Sequence, residues 1–96
     1  MVDSHFQSII EKLKACIAEE NTTPSQLAKI ITMAVEIKES LEGTGTLPEN
    51  KEWVDKTIKD FLEIIVRANY KAHTILNPWL EMPPVEEQVA EALKKV

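Results

Sequence analysis

The stretch 48–76, PENKEWVDKTIKDFLEIIVRANYKAHTIL, decides the fold of this chain. Within it Val54, Ile58, Phe61, Ile65, Ala68, Ala72 and Ile75 recur at alternating steps of four and three, which sets them along one side of a single long helix. Leu62, Ile64 and Leu76 flank that seam. The helix begins near Pro48 or Asn50, with Thr46 and Glu49 as a capping pair. It stops at Asn77 and Pro78, because a residue before proline is pushed out of the helical region. At ~1.5 Å per residue it is about 40 Å long.

Upstream, Thr23, Pro24 and Gln26 have the spacing of a capping box with proline in the first turn, where its missing N–H costs nothing. The second helix they open carries Leu27, Ile30, Ile31, Ala34, Ile37 and Leu41 on one face, widened by Met33 and Val35. Gly43 supplies a left-handed closing residue, and 43–47 forms a flexible loop. A first helix from about 4 to 20, capped by Asp3 or Ser4, lines up Phe6, Ile9, Ile10, Leu13, Cys16 and Ile17. Cys16 lies in that stripe and is expected to be a small buried hydrophobe. The first two helices reach only about 25 to 30 Å, so the C-terminal end of the third overhangs unless something covers it.

Downstream, Pro78, Trp79, Leu80, Met82, Pro83 and Pro84 make a stiff apolar arm, which loses little entropy on docking. It serves either as a strap over its own fold or as an anchor for a partner. A short fourth helix, 85–96, follows with a narrow stripe of Val85, Val89, Ala92, Leu93 and Val96. Its Glu86 and Glu87 at the start and Lys94 and Lys95 at the end suit the helix dipole. At this length it is marginal alone and needs a surface, the overhanging end of the third helix being one candidate. The expected architecture is therefore all-α: a three-helix antiparallel bundle over 1–77 with a long third helix, then an arm and short amphipathic helix over 78–96.

Composition narrows the function. With 96 residues the chain makes one domain, 44% hydrophobic and 28% charged, and two glycines argue against a turn-rich β fold. The net charge of −5 opposes binding to duplex nucleic acid, whose affinity comes from basic side chains displacing counterions. An acidic inhibitor that mimics nucleic acid is one reading of that charge. No apolar run approaches the ~20 residues of a membrane span. One cysteine excludes an internal disulfide and fits a reducing compartment, the cytoplasm of a cell or the interior of a virion. His5 and His73 are far apart without a second ligand at helical spacing, so neither a metal nor another cofactor is expected. The chain has no phosphate-cradling glycine loop, nucleophile elbow or HExxH.

Two groups remain as candidate sites. Residues 64–80 contain no acid but include Arg67, Tyr70, Lys71 and His73, a strip suited to a carboxylate, a phosphate or a partner backbone. The arm and last helix offer Trp79, Leu80, Met82, Val85, Val89 and Leu93 as an apolar contact surface. Trp53, beside the seam, is expected to close one end of the core.

The run 24–39, PSQLAKIITMAVEIKE, then a glycine loop and 50–58, NKEWVDKTI, resembles small helical structural proteins of large DNA viruses and phages. In those an apolar helix with a methionine and a Val-Glu pair precedes a Gly-Lys-rich turn and a second helix. The likeness spans about residues 24–66; it lacks the usual membrane segment and does not include the Pro-Trp arm. It implies a structural role and assigns no functional residue. The leading expectation is a non-enzymatic interaction or assembly protein that binds a protein partner or itself through Arg67, Tyr70, Lys71 and the arm. The rival is a small enzyme or ligand-binding bundle using Arg67, Tyr70, Lys71 and His73 on an anionic ligand.

Overall fold

The computed structural model describes residues 2–44, 48–79 and 81–94. Four helices, α1 (Val2–Ala18), α2 (Pro24–Thr44), α3 (Pro48–Leu76) and α4 (Val85–Lys94), account for nearly all of them, with no strand among the described residues. α3 is the hub: α2 packs along it most extensively, and α1 and α4 each pack on it as well. The molecule is 46 × 25 × 17 Å, so its long axis is close to the length of α3 itself.

Each boundary has a local cause. At the start of α2 the Thr23 backbone N–H donates to Gln26 Oε1 at 3.0 Å while the Gln26 N–H donates to Thr23 Oγ1 at 3.2 Å, the reciprocal pair read from the sequence. The end of α2 corrects the sequence reading. The helix continues through Gly43 to Thr44, and Gly43 does not take a positive φ. Thr46 and Leu47 lie outside the described residues, as do the side chains of Asp3, Ser4 and Glu49. α3 ends at Leu76, with Asn77 still donating to the His73 carbonyl at 2.8 Å before Pro78 interrupts the pattern. α4 starts where the Glu87 N–H reaches the Pro84 carbonyl at 3.0 Å and Gln88 Nε2 reaches the Pro83 carbonyl at 2.9 Å.

The continuous core joins Ile10 and Leu13 of α1, Leu27, Ile30, Ala34 and Leu41 of α2, and Val54, Ile58, Phe61, Ile64 and Ala68 of α3. Its N-terminal end is closed by aromatic rings. Phe6 stacks on Trp53 with centroids 6.3 Å apart and meets Phe61 edge-on at the same separation, so Trp53 sits at a core end as its position implied. At the other end of α1, Lys71 of α3 donates to the Glu19 carbonyl at 2.6 Å and also to the Ile17 carbonyl. Early α1 meets early α3 and late α1 meets late α3, so these two helices run parallel.

Four sequence expectations change here. Ile64 is fully buried and Ile65 only partly, because helices on several sides of α3 need a wider apolar arc than one seam. Met33 is exposed and does not extend the buried face of α2. Cys16 is exposed as well: neighbouring helix positions are about 100° apart, and turning Ile17 toward the core turns Cys16 outward. Ile75, expected in the seam, is 42% exposed and Leu76 is 59% exposed. Lys71 reaches the end of α1, so Ile75 and Leu76 lie beyond it, while Thr74 still shares a groove with Ile17, Ala18 and Val85.

Candidate functional site

The arm and the strip of cations form two distinct surfaces. The first is apolar and lies where α3 overhangs. Ile75, Leu76 and Trp79 follow one another there, and Trp79 is 77% exposed, the barest large hydrophobic side chain among the described residues. Pro78 stops α3 before Trp79. Leu80 lies outside the described residues, and Met82 is half-buried.

α4 does not cover this end. It doubles back along α3, fixed near its start by Arg67, whose Nη1 and Nη2 reach Glu86 Oε1 and Oε2 at 3.3 and 3.2 Å. Further along, Glu91 and Ala92 share a groove of 590 Å³ with Leu62 of α3 and Lys38 of α2. The stripe read from the sequence faces inward, with Val89 buried and Val85, Ala92 and Leu93 half-buried; Val96 lies outside the described residues. Val89 is nevertheless not part of the continuous core. α4 is thus a separate patch of burial laid over the finished bundle.

The second surface is a groove of 510 Å³ between α1 and α3, closed by Val85 at the start of α4. Arg67, Tyr70 and Lys71 all line it, joined by Lys14 of α1, which the sequence pattern did not single out. His73 is exposed and does not line this groove. Both principal cations have partners within the chain. Arg67 Nε bonds to Glu63 Oε2 at 2.9 Å while its other nitrogens fork onto Glu86. Hydrogen bonds to Glu63 first and Glu86 second raise the guanidinium above its already high ordinary value, against a smaller desolvation effect. Lys71 is a cap from another helix: α1 has no basic residue in its last turn, and Lys71 supplies positive charge to its terminal carbonyls. Thr22 Oγ1 satisfies the Cys16 carbonyl beside it. A bound anion at this groove would therefore compete with contacts that hold α1 and α4 in place.

No family model, curated protein or solved structure matches this chain. Among the described residues no helix is long and apolar enough to cross a membrane, and no group of three or more His, Cys, Asp or Glu residues is placed to hold a metal ion.

Proposed function

We propose that this chain is a non-enzymatic interaction or assembly protein whose contact surface is the bare end of α3 together with Trp79. The observation that carries this reading is the run of exposure at Ile75, Leu76 and Trp79, where Met33 is the other exposed large hydrophobic side chain among the described residues. Proline-stiffened aromatic residues of this kind act as anchors in a partner's pocket, since little ordering entropy is lost on binding. The arm divides its duties: α4 straps onto its own α3, and Trp79 is left for the partner. The bundle in this reading is an up-down-up arrangement of α1, α2 and α3, with α2 antiparallel to both. Arg67 and Lys71 serve the fold, which weighs against the anion-binding alternative.

Such a protein, with its single cysteine, suits a reducing interior, that of a cell or, if the resemblance to small viral and phage structural proteins holds, of a virion. The test places a photo-crosslinking amino acid at position 79 and, as a control, at exposed Glu36, in the cell that makes the protein. Saturable protein adducts from position 79, lost on Leu76→Ser, are expected. Equal labelling from both positions, or none from either, would remove the reading.

A further inference from the structure

The groove between α1 and α3 holds one cation that the fold does not employ. Lys14, Ile17 and Ala18 form its α1 wall, and its α3 wall runs from Glu63 to Thr74, about 16 Å along the helix axis. Ile17, Ala18, Val85 and the Tyr70 ring make the lining mostly apolar. Arg67 is divided between Glu63 and Glu86, and Lys71 is engaged by the last carbonyls of α1. The Lys14 ammonium and the Tyr70 hydroxyl, by contrast, make no hydrogen bond or ion pair among the described residues. Three cations against two carboxylates leave one positive charge here, in a chain whose net charge is −5.

From this pairing of an unengaged cation with an elongated apolar wall, we infer that the groove binds an amphipathic monocarboxylic acid, a linear acyl chain ending in one carboxylate. The carboxylate meets the Lys14 ammonium, and the chain lies lengthwise over Ile17, Ala18 and the Tyr70 ring toward Val85. An anion seated on Arg67 or Lys71 would break contacts that hold α4 and α1, whereas one seated on Lys14 breaks none. The charge count limits the ligand to a single carboxylate, because a second negative charge would meet Glu63, Glu86 and the acidic field of the whole chain. The lining disfavours a small hydrophilic anion, which would leave the apolar wall in water. At 510 Å³ the groove falls within the roughly 300 to 1,000 Å³ usual for small-molecule sites. Residues of α1, α3 and α4 all border it, so occupancy raises Tm with ligand concentration. Ile75, Leu76 and Trp79 do not line it, which keeps this site separate from the contact surface proposed above.

The test titrates octanoate, and 1-octanol as its uncharged counterpart, into the isotopically labelled full chain while amide shifts and Tm are followed. Octanoate should bind saturably at one site, with the largest shifts at Ile17, Ala18, Thr74 and Val85, and 1-octanol should bind about fivefold more weakly, the difference expected of a partly exposed ion pair. Acetate and inorganic phosphate should give no saturable shift at those positions. Lys14→Met should weaken octanoate about fivefold and erase its advantage over 1-octanol, while Lys14→Arg keeps both. Trp79→Ala should leave octanoate affinity unchanged. Equal binding of octanoate and 1-octanol to the native protein, saturation by phosphate, absence of saturable shifts in the groove, or loss of binding on Trp79→Ala would each overturn the site.

Discussion

Lys71→Met tests how the cation strip is used, because it removes the charge and keeps most of the side-chain stem. Lys71 Nζ donates to the Glu19 carbonyl at 2.6 Å and to the Ile17 carbonyl, both at the end of a helix that has no basic residue of its own in its last turn. A hydrogen bond to a charged donor contributes about 1.5 to 3 kcal/mol, and a cation at a helix C-terminus about 0.3 to 1 kcal/mol. These overlap, and Lys71 is only half-buried, so water recovers part of the loss. The expected cost is about 1 to 2 kcal/mol, which at roughly 4 to 8 °C per kcal/mol lowers Tm by about 4 to 16 °C in a domain of this size. Urea melts followed by circular dichroism measure it, with Lys71→Arg as the control that keeps the charge. A change below about 0.3 kcal/mol, within the scatter of an ordinary surface substitution, would refute the capping role and return Lys71 to the ligand-binding alternative.

Three further outcomes follow from burial. Phe61→Ala, at a fully buried position touching Phe6, should destabilise the fold by about 3 to 5 kcal/mol; a loss below about 1 kcal/mol in a denaturant melt contradicts its place in the core. Gly43→Ala should stabilise by about 0.5 kcal/mol, because Gly43 is helical and an added Cβ meets open space; destabilisation of that size would mean that the helix ends earlier. Cys16, being exposed, should react with a soluble maleimide in the native protein at a rate close to that of the unfolded chain, and protection until unfolding would return it to the interior.

What the sequence made legible was what local chemistry controls. The Thr23–Gln26 box needs only its own four positions, and it formed as read. The apolar period of α3 placed Val54, Ile58, Phe61 and Ala68 in the core because one face of a helix is fixed by spacing alone. Ile64 escaped the heptad reading because the number of helices around α3 sets the width of its buried arc. Cys16 was misplaced for a related reason, lying at the margin of a stripe whose centre only packing defines. The candidate cations illustrate the larger gap: Lys71 finds its acceptors 52 and 54 positions earlier, and Arg67 finds Glu86 19 positions later. No periodicity records such pairings. The same fork, with buried Val89, marks where α4 doubles back along α3.

The hub position of α3 has a bearing on how the chain is made. α1 and α2 leave the ribosome first, yet the largest interfaces of both the α1 and the α2 side are with α3. Until the segment that carries Phe61, Ile64 and Ala68 has emerged, the apolar faces of two complete helices have little to close upon. α2 then meets its neighbour across a short connection, whereas α1 must close a loop of about fifty residues to bring its last carbonyls to Lys71. Among the three helices that share the core, the one synthesised first is thereby the one expected to settle last.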